Sequence, residues 1–223
     1  MYKKDYLMQL VAQLTAVITQ AARLRDDDEY QEALDTTDGA LRQLTGLGTN
    51  AWLSMATEDI LANLSMRDDL GGVETAVFMV GIFYQEGELY AAQDDDDRAD
   101  YRFLRTLQLQ LALLNTYPDI PLPSVVATVP ALNGRLTENG VILPAATNHA
   151  LMVYYEATGA FSTAEDILYD WIDAEPGSSE ALEAGIALYQ QLLLKPDEEL
   201  EAGNLPRDEV TEGLEDLLQA TDE

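Results

Sequence analysis

The residues that carry most enzyme chemistry are scarce in this chain. His149 is the single histidine and there is no cysteine, which excludes a catalytic triad, a thiolate nucleophile, a multi-histidine metal site and a cysteine-ligated zinc site. Position 146 is an alanine, so the Glu-x-x-His pair of di-iron helical bundles is also absent. The motifs of zinc proteases, serine hydrolases and nucleotide-binding loops do not occur. We therefore predict that the chain is not an enzyme and has no cofactor.

Carboxylates remain, and they are the ligands that Mg²⁺ and Ca²⁺ prefer. One acidic run extends from Asp94 to Asp97, with Asp100 close behind it. A helix-loop-helix calcium site needs glycine at its sixth position, which counted from Asp94 is Ala99. The run is therefore predicted to be a solvated turn without a metal.

A second acidic group lies along one predicted helix, where Asp166 and Asp170 share a face and Asp173 follows. A metal site would need a second acidic helix opposite them, and the sequence shows none. We predict a solvated helix face. The alternative is a helical metal-dependent enzyme that uses these carboxylates.

The charge of the chain restricts its partners. The 223 residues include 41 acidic and 12 basic ones, a net charge of −29. Nucleic acids and anionic membranes are excluded as partners because binding them requires lysine and arginine. A basic partner is compatible with this charge, but adaptation of a soluble surface, including adaptation to high salt, is the explanation that we favour. The lack of cysteine favours a cytoplasmic location. The sequence contains no run of about eighteen apolar residues, so we predict no membrane-spanning helix.

Apolar residues recur every three or four positions along most of the chain, which predicts an all-α fold. The predicted helices span about 7–24, 29–45, 57–64, two within 73–115, 123–137, 144–158, 162–172, 178–194 and 206–220. Thr57 and either Ser162 or Thr163 are predicted to cap their helices. The helix at 73–92 is apolar around most of its circumference and is expected to be central.

Residues 117–143 are the hardest to interpret because prolines and glycines interrupt them. A short helix at about 123–137 is our prediction, and a small hairpin turned at Asn139-Gly140 is the alternative. We expect a single domain over 1–223. Its possible subdivisions are N-terminal helices at 1–70, a central hairpin at 71–116, the irregular segment at 117–143, C-terminal hairpins at 144–205 and an acidic terminal helix or tail at 206–223.

Small and aromatic residues of the predicted hairpins follow one pattern. Leu151, Tyr155, Ala164, Leu168 and Pro176 have the spacing of a helix-turn-helix repeat, and Ala33 and Ala99 precede Ala164 by 131 and 65 residues. On these positions the chain resembles the tetratricopeptide superfamily. The resemblance implies stacked antiparallel helix hairpins in a degenerate right-handed superhelix, in which each alanine lies where two helices cross.

Three segments carry a closer resemblance: Tyr30 to Leu34, Gly87 to Tyr90, and Tyr154 to Gly159 with the acidic turn after Ala164. On them the chain is similar to an uncharacterised bacterial family of tetratricopeptide-like proteins, a domain of unknown function. That family implies no activity. Thr37, Thr106 and the absence of the glycine in the first hairpin depart from the repeat pattern and leave the number of repeats open.

The same register implies a binding groove. Tyr84 and His149 each lie six residues before a core tyrosine, a position that faces the concave groove in tetratricopeptide-like proteins, and Glu88 and Glu156 follow on the same side. Such a groove suits a protein or peptide that carries lysine or arginine. The predicted function is a non-catalytic protein-binding or peptide-binding scaffold. Self-association into a homodimer through apolar ends of the stack is a further alternative.

Overall fold

The computed structural model describes residues 4–66 and 71–221, and in these residues it is entirely α-helical, as predicted. The described helices are α1 (Lys4–Asp26), α2 (Tyr30–Thr45), α3 (Thr49–Leu53), α4 (Thr57–Ser65), α5 (Gly72–Ala91), α6 (Asp96–Thr116), α7 (Val129–Glu138), α8 (Ala145–Ala157), α9 (Phe161–Ala174), α10 (Ser179–Leu192), α11 (Asp197–Ala202) and α12 (Arg207–Thr221). The chain divides into two compact units, a first unit of residues 1–141 and a second unit of residues 142–223. In the described part, no helix has both the length and the apolar character needed to cross a bilayer.

Helix α5 is the centre of the first unit, as its apolar circumference predicts. It packs most extensively against α6 and also contacts α1, α2 and α4. Glycines allow two of these approaches: a Cβ at Gly81 would overlap Leu14 of α1, and a Cβ at Gly87 would lie 2.6 Å from the ring of Phe103 on α6. Both contacts therefore depend on the missing side chain, because protein interiors leave little room to shift a buried neighbour.

The three alanines of the repeat pattern are all buried, each in the second helix of a packed pair. Ala33 lies in the α1–α2 pair, Ala99 in the α5–α6 pair and Ala164 in the α8–α9 pair. A small side chain at such a position lets two helices approach closely. The sequence therefore identified three helix pairs correctly.

Helix α3 was not predicted, and side chains of α6 hold the segment around it. The hydroxyl of Tyr101 donates to the carbonyl of Leu53 at 2.8 Å, and Nη2 of Arg105 donates to the carbonyl of Met55 at 2.6 Å. These bonds satisfy the last carbonyl of α3 and one carbonyl of the turn that follows it. A helix of five residues depends on such tertiary contacts, since isolated helices of this length are unstable.

Both predicted hydroxyl caps were wrong. Helix α4 begins at Thr57 and α9 begins at Phe161, so Thr57, Ser162 and Thr163 all lie inside the first turn. The capping hydroxyl must belong to the residue before the helix, which here is Ala56 or Ala160. The periodicity placed each helix correctly to within a few residues, but capping requires the exact first residue.

The irregular segment contains one described helix, α7, which begins six residues later than predicted. Thr128 caps it by accepting a hydrogen bond from the backbone N–H of Ala131 at 3.4 Å. Gly140 has a φ of +74° and its N–H donates to the carbonyl of Thr137. Asn139-Gly140 therefore ends a helix, and the alternative of a hairpin is wrong.

The second unit is built on α8, α9 and α10, and α12 packs against α10. A Cβ at Gly213 of α12 would overlap the buried ring of Tyr189 on α10, so this crossing is also set by a missing side chain. The hydroxyl of Tyr189 donates to Glu165 at 2.5 Å. The ring thus fills the core while its polar end reaches a half-buried carboxylate.

Helix α11 was not predicted, and Arg207 anchors the turn before it. The guanidinium donates to the carbonyls of Leu193 and Lys195, at 3.0 and 2.5 Å, and forms an ion pair with Asp197. One arginine thus satisfies two carbonyls in the turn after α10 and the first acid of α11.

Candidate functional site

Tyr84 and Glu88 lie one turn apart on α5, and an arginine of α7 occupies the space beside them. Nη1 of Arg135 is 2.8 Å from Oε1 of Glu88, and its guanidinium carbon lies 3.9 Å from the centre of the Phe103 ring. Burial raises the pKa of the Tyr84 hydroxyl, and the nearby charge of Glu88 raises it further. Arg135 is thus a cation that contacts both a carboxylate and an aromatic face.

His149 and Glu156 line a depression of about 60 Å³ between α8 and α10. Nζ of Lys195 lies 3.8 Å from Oε1 of Glu156 and 5.2 Å from the centre of the Phe161 ring. When the side-chain amide of Gln191 is oriented with its nitrogen toward Glu156, that nitrogen donates to Oε1 of Glu156 at 3.1 Å. His149 is exposed at the rim of the depression.

The four predicted residues therefore form two pairs, one in each unit. Within each pair the structure brings the members together, and each carboxylate already holds a cation of the chain itself. Arg135 follows Glu88 by 47 residues and Lys195 follows Glu156 by 39. Neither cation was predicted, because no local pattern links residues so far apart.

A larger concave site in the first unit was not predicted at all. It encloses about 390 Å³, and we name it the α2–α6 cleft because α2, the segment 47–51, α5 and α6 line it. Its charged lining residues are Asp35, Asp38, Arg42, Glu86, Arg98 and Arg102. The floor is a buried ion pair, and the rim is exposed to solvent.

The ion pair on the floor joins Glu86 of α5 to Arg102 of α6, with Nε 2.9 Å from Oε2 and side chains that are only 3% and 7% exposed. The hydroxyls of Thr37 and Thr49 donate to Oε1 of Glu86, at 3.1 and 2.8 Å. Nη2 of Arg102 donates to the side chain of Asn50 at 3.0 Å. Burial raises the pKa of Glu86, although Arg102 and both hydroxyls act in the opposite direction.

Tyr90 forms a wall of the cleft and supports two of its arginines. The guanidinium carbons of Arg98 and Arg102 lie 4.7 and 5.3 Å from the centre of its ring. The repeat pattern assigned Tyr90 to the core, but the side chain is only partly buried. Its ring therefore contacts two cations in addition to its packing.

One signal in the sequence pointed to this floor. Glu86 is an acid in the middle of the most apolar helix of the chain, and a charged residue in such a place is rarely buried without a partner. The partner itself could not be identified, because α6 carries Arg98, Arg102 and Arg105 within two turns. Only the packing of α5 on α6 selects Arg102.

The acidic clusters differ from a metal site in their described geometry. Asp166, Asp170 and Asp173 are all exposed on α9. In the acidic run, Asp95 caps α6 and bonds to Arg98. Across residues 4–66 and 71–221 no group of three or more histidine, aspartate or glutamate side chains is arranged to hold a metal ion.

The comparisons with known proteins define the family and nothing narrower. A model described as "Family of unknown function (DUF6483)" matches residues 1–222, so the chain belongs to this family. No curated protein and no solved structure gives a significant match.

Proposed function

We propose that the chain is a non-catalytic scaffold that binds a basic segment of a partner protein. We further propose that its helix pairs form a degenerate tetratricopeptide-like stack and that it acts in the cytoplasm. The buried alanines of the three helix pairs support the stack, and the lack of cysteine supports the compartment.

The contact of Arg135 is the observation that carries the proposal. Here an arginine of the chain itself is bound in the way that we expect for an arginine of a partner. The guanidinium group lies 2.8 Å from the carboxylate of Glu88 and 3.9 Å from the centre of the Phe103 ring. Glu88 and Arg135 are 31% and 37% exposed, so solvent screens their attraction. Such pairs contribute about 0–1 kcal/mol, and an arginine of a partner can replace Arg135 at little cost.

Charge supports the same proposal at longer range. A net charge of −29 attracts a basic segment and speeds its association at low ionic strength. The surface around Glu88 then provides the specific contact, since the Phe103 ring distinguishes a flat guanidinium from a general positive charge.

The test uses a labelled nonapeptide in which Gly-Arg-Gly is repeated three times, and a matched peptide in which citrulline replaces arginine. Fluorescence anisotropy should show binding of the arginine peptide only. Arg135→Ala should strengthen binding, because it vacates the position. Glu88→Gln should weaken binding about threefold to fivefold, which corresponds to roughly 0.6–1 kcal/mol.

Glu32→Gln is the matched control, since Glu32 is an exposed acid of α2 and its loss changes the net charge equally. Equal binding of the citrulline peptide would contradict the proposal. So would equal losses in Glu88→Gln and Glu32→Gln, because they would show that only the overall charge matters.

A further inference from the structure

The α2–α6 cleft has a charge balance unlike that of the whole chain. Three carboxylates and three guanidinium groups line it, so its formal charge is zero in a protein of net charge −29. Of the nine arginine and lysine side chains that the structure describes, three line this cleft. Basic side chains are therefore concentrated here, and an equal number of carboxylates balances them.

Two of the lining groups have capacity for a ligand. Arg102 uses Nε and Nη2 for Glu86 and Asn50, which leaves Nη1 without a hydrogen-bond partner among the described residues. Asp35 accepts a hydrogen bond from Gln31 at 2.9 Å, but no cation in the described part of the chain forms an ion pair with it. One side of the cleft thus offers a donor to an anion, and another offers a carboxylate to a cation.

The donors of the cleft are held in place before any ligand arrives. Arg102 is fixed by Glu86 beneath it and by the ring of Tyr90 beside it, and Arg98 lies over the same ring. Arg98 is also bonded to Asp95, the cap of α6. Preorganised groups of this kind lose little conformational entropy when they bind.

We propose that the α2–α6 cleft binds a small dipolar molecule that carries both a carboxylate and an ammonium group, the class of the free amino acids. The carboxylate pairs with Arg102 and Arg98, and the ammonium group pairs with Asp35. The enclosed volume of about 390 Å³ is within the usual range for small-ligand sites. This site and this ligand class are separate from the peptide contact at Glu88.

Net charge selects a dipolar ligand over a simple ion. The field of a chain with net charge −29 repels an anion at long range, whereas a simple cation would leave Nη1 of Arg102 without an acceptor. A molecule with no net charge avoids the first penalty, and its two ends satisfy both sides of the lining.

The test begins with thermal shift measurements on the full chain with each of the twenty standard amino acids and glycylglycine at 10 mM, at constant ionic strength. At least one should raise Tm in a saturable manner. For that compound, the N-acetyl form, the amide form and the doubly blocked form are then compared by calorimetry. Each blocked form should bind at least ten times more weakly.

Two exposed residues of the cleft locate the site without disturbing its floor. Arg98→Gln and Asp35→Asn should each weaken binding at least tenfold, whereas Arg25→Gln and Asp59→Asn, exposed or half-exposed positions outside the cleft, should leave it unchanged. The proposal is overturned if no compound shifts Tm, if a blocked form binds as well as the free one, or if the cleft variants bind normally.

Discussion

The two units of this chain handle charge in different ways. The first unit has 22 acidic and 10 basic residues in positions 1–141, a net charge of −12, and it buries an ion pair. The second has 19 acidic and 2 basic residues in positions 142–223, a net charge of −17 on a little more than half the length. Its two cations, Lys195 and Arg207, pair with Glu156 and Asp197.

The cores show the same difference. The first unit places Glu86 and Arg102 inside, where each charge depends on the other. The second uses Tyr189, a neutral side chain whose hydroxyl reaches a half-buried carboxylate. A unit that has few cations can still bury a polar group if that group carries no charge. We therefore expect the first unit to lose stability when one of the two buried charges is removed. We expect the second to lose stability at alkaline pH or when a larger side chain is introduced beside Tyr189.

The chain has two tryptophans, Trp52 in the first unit and Trp171 in the second, and both are buried. With Trp171→Phe as background, fluorescence reports on the first unit, and with Trp52→Phe it reports on the second. Each prediction below uses these two backgrounds.

The largest effect should come from Arg102→Met, which leaves Glu86 buried and uncompensated. Removing one partner of a buried pair costs about 3–5 kcal/mol, and the loss should appear in urea unfolding of the first unit. The double variant Glu86→Leu with Arg102→Met should recover most of this stability, because it removes both charges. A double variant less stable than Arg102→Met alone would show that packing, and not the unpaired charge, is responsible.

Gly213→Ala should come next and should affect the second unit. The new Cβ overlaps the ring of Tyr189, which is buried and cannot move, and overpacking of this kind costs about 1–3 kcal/mol. The matched control is Gly39→Ala in α2, where a Cβ meets no atom within 4 Å. It should stabilise the first unit by about 0.5–1 kcal/mol, since alanine favours a helix over glycine. Equal effects of the two substitutions would mean that the contact at Gly213 is loose.

Tyr189→Phe should change how the second unit responds to alkaline pH. Burial and the bond to Glu165 raise the pKa of Tyr189, whereas an unfolded tyrosine ionises near pH 10. Above about pH 10 the unfolded state therefore binds fewer protons, and the free energy of unfolding falls as pH rises. Below this pH the variant should lose about 1–2 kcal/mol with the hydrogen bond, and above it the variant should show a shallower decline.

Urea midpoints between pH 8 and pH 11 measure this decline. Tyr154→Phe, which removes the hydroxyl of a half-buried tyrosine of α8, is the control and should keep the slope of the parent. Tyr169 is unsuitable as a control because its hydroxyl lies 3.4 Å from that of Tyr189. Parallel slopes in the parent and Tyr189→Phe would contradict the assignment.

Added salt should have the smallest effect and should favour the second unit. Its carboxylates repel one another more strongly in the folded state than in the expanded one, and about 0.5 M NaCl reduces the screening length to a few ångströms. Tm should rise in both backgrounds, with the larger rise in the one that reports on the second unit. An unchanged Tm would show that local pairing already cancels the repulsion.

Periodicity predicted the long helices because each buries one face or, for α5, nearly all faces. It failed for α3 and α11, which have five and six residues and are too short to show a period. Tyr101 of α6 bonds to the last residue of α3, and Arg207 of α12 bonds to the first residue of α11. Such contacts depend on tertiary packing, and no local pattern reveals them.

The candidate sites show the same difference between features with a local sequence pattern and features that depend on tertiary packing. The spacing from the core tyrosines placed Tyr84 and Glu88 on α5 and His149 and Glu156 on α8, and their role in binding a partner stays a prediction. The cations that those acids hold, Arg135 and Lys195, come from later helices, as does Arg102 beneath the cleft. The sequence predicted residues that share one helix face, but it did not predict the cations that a second helix contributes to the same site.

The bonds from α6 to the segment after α3 have a consequence for the newly made chain. Leu53 and Met55 receive their partners, Tyr101 and Arg105, from positions 48 and 50 residues later. At roughly 5–20 residues per second, the ribosome needs about 2–10 s to synthesise that stretch. During this interval the backbone around Leu53 is open to proteases and chaperones, and it becomes protected only when α6 leaves the exit tunnel.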